Sequence, residues 1–383
     1  MVSAAHLPLE GLTVVAIEQA VAAPYCSARL ADAGARVIKI ERPEGDFARG
    51  YDDAAAGQSS YFVWLNRGKE SLILDLASPN GKETLRGLLP QADVLVQNLK
   101  PGTLERLGFG TGEMRKAHPR LIVCSISGYG ETGPLAGRKA YDLLVQAESG
   151  LSSITGGPAE PARVGISLVD IATGAVAYSA ILEALIARGS SGEGADIRVS
   201  MFDVMAEWLT VPLLHQEAGT PPQRIGLAHP SITPYGVFTT ADGKDILISI
   251  QSDREWAKFC DEFLRQPAAA TDERFATNLV RVRNRAATDG LVAAAFAKLD
   301  EAAAKELLTR AGVAFASVND MAALSLHPHL RRIIVSSPNG PVSLPAPAPI
   351  FAGAPRTYGA VPALGEHRPL MLATPHQCKE QLS

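Results

Sequence analysis

Runs of β-branched and aliphatic residues recur at 12–17, 37–41, 71–76, 93–97 and 121–125. Each is apolar enough to lie buried on both faces of a sheet, whereas 25–33 and 80–89 carry the spacing of helices. Strands that alternate with helices pair in parallel through right-handed crossovers. The expected fold class is therefore α/β, with an open, doubly wound, Rossmann-like and mostly parallel sheet. An Ala-rich stretch at 171–188, apolar on nearly every face, predicts a buried helix that stops at Gly189-Ser-Ser-Gly192. Another helix is expected at 205–217, and the Gly/Pro-rich passage 218–234 reads as a linker. Beyond it, 235–240 and 246–250 flank Ala241-Asp-Gly-Lys244, a hairpin signal. Helices at 255–264 and 286–307 complete a smaller mixed α/β domain, and the Pro-rich chain past Ser336 is expected to be extended. The predicted domains are a large one over 1–217, the linker 218–234, a small one over 235–325, and a C-terminal segment, 326–383, that returns to the large domain.

Length and composition agree with two folded domains. The 383 residues exceed one comfortable core, and 46% hydrophobic with 20% charged residues is ordinary for a globular chain. A net charge of −4 with dispersed Lys and Arg points to neither nucleic acid nor an anionic membrane as partner. With no basic, apolar leader in residues 1–10, we expect a cytoplasmic protein. Cys26, Cys124, Cys260 and Cys378 are too far apart for a metal-ligand spacing, so free thiols and no metal are expected.

Several motifs are excluded. Ser125-Ile-Ser-Gly-Tyr-Gly130 lacks the leading glycine of a nucleophile elbow, and Gly108-Phe-Gly-Thr-Gly112 does not follow a strand. No Walker sequence is present, which disfavours ATP-driven chemistry. What remains are polar residues at strand ends, where open α/β sheets hold their ligands. Arg42 follows one strand run, Asn98 follows another, and Lys100 and Arg106 lie just beyond. Cations there suit a phosphate-bearing ligand. Asp170 stands before the long helix, where pattern alone reads it as an N-cap.

With these residues in view, the chain resembles, nearly end to end, the class III CoA-transferases, the group of formyl-CoA transferase, carnitine CoA-transferase and the α-methylacyl-CoA racemases. The segments that carry the likeness include Ala33-Gly-Ala-Arg-Val-Ile-Lys-Ile-Glu-Arg42-Pro, Asn98-Leu-Lys-Pro-Gly-Thr-Leu-Glu-Arg106, Ser127-Gly-Tyr-Gly-Glu-Thr-Gly-Pro134 and Leu364-Gly-Glu-His367. The resemblance implies that Asp170 is a nucleophile, attacking an acyl-CoA to give a mixed anhydride and then an enzyme CoA-thioester, with the start of its helix supplying N–H donors to the intermediates. It implies coenzyme A contacts at Arg42, at the backbone around Leu74 and Leu76, at Asn98, Leu99, Lys100 and Arg106, and at Arg138, Lys139 and Tyr141. It further implies acyl-CoA and a free carboxylic acid as substrates, no permanently bound cofactor, and an interlocked homodimer. A small dicarboxylate such as itaconate, mesaconate or citramalate is the expected acceptor, with Arg49 and Arg163 as candidate partners for its second carboxylate. The segment 226–235 lacks the glycine run of the formyl-CoA enzyme's active-site loop, and Tyr141 stands where the racemases have a histidine. Two alternatives differ in chemistry: a racemase would exchange the substrate α-hydrogen without any acceptor acid, and a non-catalytic acyl-CoA-binding protein would never form a covalent adduct.

Overall fold

The computed structural model describes residues 7–368, so Cys378 lies outside the described residues. The chain forms two compact units. Among the described residues the first contains 7–151, 164–211 and 331–368, and the second 152–163 and 212–330.

In the first unit, β1 (Thr13–Ile17), β2 (Arg36–Glu41), β3 (Lys69–Ile73), β4 (Val94–Gln97), β5 (Ile122–Ser127) and β6 (Asp196–Ser200) form one sheet in the order β3-β2-β1-β4-β5-β6. All its pairings are parallel. This is the doubly wound arrangement, with the order reversing direction beside β1. β1, β2, β4 and β5 fall on the predicted runs, and β3 overlaps its run only at 71–73. β6 falls on none, because as an edge strand only its last two residues are buried and its apolar signal is short. Val14, Ala16 and Val96 face one core together with the helices Ala22–Asp32 and Leu168–Ser191. Val15, Ile17 and Leu95 face the other, with the helix Pro79–Leu88.

The Leu168–Ser191 helix is long and apolar enough to span a bilayer by length and composition alone, but Val169, Ala172, Ala177 and Ile181 are buried in the core of this unit. Its Gly174 lets the helix approach Ala22–Asp32 closely. A Cβ at that position would collide with the Ala22 carbonyl oxygen and press on the Tyr25 side chain. Gly174→Val is therefore expected to cost about 2–3 kcal/mol by overpacking, visible as a fall of several degrees in thermal melting. An unchanged melting temperature would show that the two helices can separate freely.

The predicted 286–307 helix is two helices, Arg285–Phe296 and Glu301–Ala311. The Asp300 carboxylate accepts from the Ala303 N–H at 2.8 Å and starts the second, a cap signal that the run of alanines masks. Similarly, 205–217 divides into Met201–Trp208 and Thr210–Glu217. In the second unit β7 (Tyr235–Thr239), β8 (Asp245–Ser249) and β9 (Ala314–Ser317) make a wholly antiparallel sheet containing the expected hairpin.

The expected linker belongs to this second unit, as does 152–163, which sequence pattern assigns to the large domain. The Gly226 N–H donates to the Gly156 carbonyl at 3.0 Å, and Arg224 donates to the carbonyls of Ser153 and Gly157. The stretch 226–235 is pinned further: Arg281 donates to the Thr233 carbonyl at 2.8 Å, and His229 stacks on Tyr235 at 5.2 Å.

The C-terminal segment is not simply extended. β10 (Arg332–Ser337) and β11 (Gly340–Pro345) pair as a hairpin, and Val335 and Val361 pack with Phe62 and Val63 of the first unit. Beyond it the chain follows the β3 edge, where the His367 N–H donates to the Ser71 carbonyl at 3.0 Å.

Candidate active site

The C-terminal ends of β1 and β2 and the segments after β3 and β4 enclose a cleft of about 280 Å³. Arg42, Leu74, Leu76 and Leu99 line it, with Gln19, Asp46 and Thr103. A parallel sheet leaves a crevice where its strand order reverses, so this position follows from the topology. Arg42, Lys100 and Arg106 are exposed. Arg106 donates to the Thr103 hydroxyl at 2.8 Å, and among the described residues none of the three pairs with a carboxylate. Their charge is left for a ligand, and phosphate is the group that such cations bind most strongly.

Asn98 reaches the cleft through the backbone. Its Oδ1 accepts from the Gln19 N–H at 3.0 Å and its Nδ2 donates to the Gln19 carbonyl at 2.8 Å. The next residue, Ala20, has φ of 65°, a left-handed conformation that costs energy for a residue with a Cβ. Its N–H is held by Asp46 Oδ1 at 3.1 Å. The turn that floors the cleft is thus clamped from both sides.

Below the cleft lies a cluster of charges that the apolar strand runs conceal. Lys39 and Lys69 are fully buried, and both contact Glu18 Oε1, at 3.4 and 2.7 Å. Lys39 also contacts Asp46 at 2.9 Å, while Glu41 receives a two-pronged contact from Arg49 and a hydrogen bond from the Ser71 hydroxyl. Burial alone would lower the Lys39 pKa, but Glu18 and Asp46 raise it. Lys69, with one carboxylate and two neutral acceptors, is instead pulled down to about 8 by burial. Burial opposes ionisation of Glu41, yet Arg49 and Lys39 bring its pKa to about 2. Arg49, a candidate partner for a substrate carboxylate, is committed to Glu41 and to the Pro362 carbonyl, and Arg163 belongs to the second unit.

Asp170 is the third residue of Leu168–Ser191, not its cap. The capping oxygen comes from Asp142, whose Oδ1 accepts from the N–H groups of Val169 at 2.7 Å and Asp170 at 3.1 Å. Leu168 donates to the Ile166 carbonyl and Ile171 to the Ser167 carbonyl. The first N–H groups of this helix are all occupied, so they do not form the oxyanion site expected of them. The Asp170 carboxylate itself accepts no hydrogen bond among the described residues. Burial, and then the Asp142 charge, push its pKa up to about 7. Tyr51 stands in the same field: burial raises its pKa to about 12, with Asp46, Asp170, Tyr141 and Tyr61 adding to the effect. Tyr51 packs edge-on to Tyr61, whose hydroxyl lies 3.4 Å from that of Ser167. This sequence-distant group of phenols is a feature that no local motif reveals. Tyr141 is exposed beside it, Lys139 is exposed, and Arg138 pairs with Glu148 at 3.1 Å and lies over the Tyr129 ring. A carboxylate half-buried among phenols, on the same unit as a cation-rimmed cleft, is equipped for nucleophilic acyl transfer.

Comparison with known proteins agrees. The acetyl-CoA:oxalate CoA-transferase of Acetobacter aceti is 38% identical, the alignment covering 88% of this chain and 89% of that protein. The succinate–glutarate CoA-transferase of Agrobacterium fabrum is 35% identical over 96% of this chain and 95% of its own. Among solved structures, a CAIB/BAIF family protein from Brucella suis superimposes with a TM-score of 0.80 at 33% identity, covering 99% of this chain and 100% of that one. The description CoA-transferase family III matches residues 9–368, and the chain belongs to that family as a class III CoA-transferase.

Proposed function

We propose that this enzyme moves coenzyme A from an acyl-CoA donor such as succinyl-CoA to a small dicarboxylate, with Asp170 as the nucleophile. The observation that carries the reading is the Asp170 carboxylate, desolvated and unbonded because Asp142 has taken over the cap. Desolvation makes a carboxylate a better nucleophile, and proximity to a bound thioester removes much of the remaining barrier. An Asp170 oxygen attacks the thioester carbonyl, the C–S bond breaks, and coenzyme A leaves as thiolate. The thiolate then attacks the aspartyl carbonyl of the mixed anhydride, releasing the donor acid and leaving an enzyme thioester. An acceptor carboxylate repeats the two steps in reverse order and restores Asp170. One thioester replaces another, so the exchange is nearly balanced in free energy. With the helix-start N–H groups occupied, the phenol of Tyr51, which shares the field of Asp170, is a donor that suits the oxyanions.

The dicarboxylate acceptor is supported by relatives named for oxalate and glutarate. A homodimer is part of the proposal: Trp208 and Val211 of the first unit are exposed apolar residues of the kind that a second copy would cover. So is a cytoplasmic location, which suits the free thiols of Cys26, Cys124 and Cys260.

The test is a panel of free acids incubated with succinyl-CoA and with acetyl-CoA, scored by mass for new thioesters, with hydroxylamine trapping at Asp170. New thioesters of dicarboxylates and a hydroxamate on the Asp170 peptide are expected. Turnover of monocarboxylates alone would remove the acceptor assignment, and transfer without any Asp170 adduct would remove the nucleophile.

A further inference from the structure

The Leu168–Ser191 helix starts on Ser167, whose side chain makes no capping bond. The helix terminus favours negative charge, and Asp170 is the acidic residue in its first turn. If Asp170 turned back onto those N–H groups, its carboxylate would be stabilised and spent. Asp142 prevents this from the helix Asp142–Glu148. Its Oδ1 takes the N–H groups of Val169 and Asp170, and its Oδ2 accepts from Gln146 Nε2 at 2.6 Å. Gln146, fully buried, turns its own Oε1 to the Val164 N–H at 2.9 Å, so the same assembly anchors the segment that enters the long helix.

We propose that Asp142 is a positioning residue of the transfer reaction, capping the long helix in place of Asp170 and leaving the Asp170 carboxylate free to attack. The inference rests on Asp170 being the nucleophile. Asp142, from its own helix, and Tyr51, from the turn after Phe47–Gly50, share the field of Asp170; Tyr141 and Tyr61 act in turn on Tyr51, and the Tyr61 hydroxyl lies 3.4 Å from that of Ser167. The Asp142 charge consequently adds to burial in keeping Asp170 protonated to higher pH than an ordinary aspartate.

Two substitutions separate the contributions. Asp142→Asn retains an oxygen for both N–H groups and removes the charge, whereas Asp142→Ala removes both. Transfer from succinyl-CoA is measured across weakly acidic to weakly alkaline pH. In parallel, carbodiimide labelling of the Asp170 peptide is followed by mass spectrometry without turnover. For Asp142→Ala, kcat is expected to fall roughly 100-fold with KM for the donor changed less than about threefold, because the nucleophile is misplaced and donor binding is not lost. Asp142→Asn should recover at least about tenfold of that loss, and its acid limb and labelling midpoint should both move to lower pH. Wild-type kcat in Asp142→Ala, equal losses in the two variants, or an unmoved labelling midpoint in Asp142→Asn would overturn the proposal. Transfer with no coenzyme A adduct on Asp170 would remove the nucleophile assignment instead, an outcome distinct from an unmoved midpoint.

Discussion

Asp170→Asn is expected to lower CoA transfer by about 10⁴-fold and, at the same time, to make the protein more stable at pH 8. The carboxamide has nearly the shape of the carboxylate but cannot open a thioester. In the wild-type fold, burial and the Asp142 charge raise the Asp170 pKa from 3.8 to about 7. The native state therefore binds a proton more tightly than the unfolded chain, and stability falls as pH rises through that window. Above it, the wild-type protein carries an unfavourable buried charge that asparagine lacks. After discounting for partial exposure and structural relaxation, the gain in Asp170→Asn is about 1–2 kcal/mol at pH 8 and vanishes near pH 4. The wild-type rate should climb with pH toward a plateau above about 7, since only the ionised carboxylate attacks. Calorimetry of both proteins at the two pH values, beside a transfer assay, checks the whole set. Residual transfer at a tenth of the wild-type rate in pure Asp170→Asn would exclude the nucleophile assignment.

Lys39→Met carries the largest expected loss of stability. Its ammonium lies between Glu18 and Asp46 with no exposure to water, and Lys69 already engages the same Glu18 oxygen. Removing Lys39 leaves Asp46 a buried carboxylate without a cation. Breaking a buried ion pair from one side costs about 3–5 kcal/mol. For a unit of this size that corresponds to a drop of roughly 10 °C in melting temperature. Asp46 also holds the strained Ala20 turn and the Ala48 N–H, so donor affinity should weaken as the cleft floor loosens. Adding Asp46→Asn to Lys39→Met removes the stranded charge and should restore a large part of the loss, a coupling that a double-mutant cycle measures directly. If the single and double variants melt alike, the charge cluster does not organise this region.

Strand–helix alternation through residue 125 was readable because a periodicity of two or 3.6 is a local property, and hydrophobic burial acts on each segment separately. β6 and the break before Asp300 escaped it. In the first case one face of an edge strand stays exposed, and in the second alanine tolerates helix on either side of the cap. Arg42 could be placed at a strand end in advance, since parallel strands deliver their C-terminal ends to the same edge of the sheet, whereas Leu74, Leu76 and Leu99, which line the same cleft, were expected there only through the family resemblance. The partners of a charge are different in kind. Lys39 interrupts one apolar run and Lys69 stands just before another, with nothing to link them until β1, β2 and β3 align in register and bring both to Glu18. Asp170 was legible as an acid at a helix start, a residue whose local preference is to cap. Its release from that role depends on Asp142, 28 residues earlier, and on the Gln146 that holds Asp142 in place. Local sequence specifies the elements and the kinds of groups they carry. Which hydrogen bonds those groups make, and therefore which carboxylate is left without a partner among the described residues, is settled only when distant segments compete for the same N–H donors.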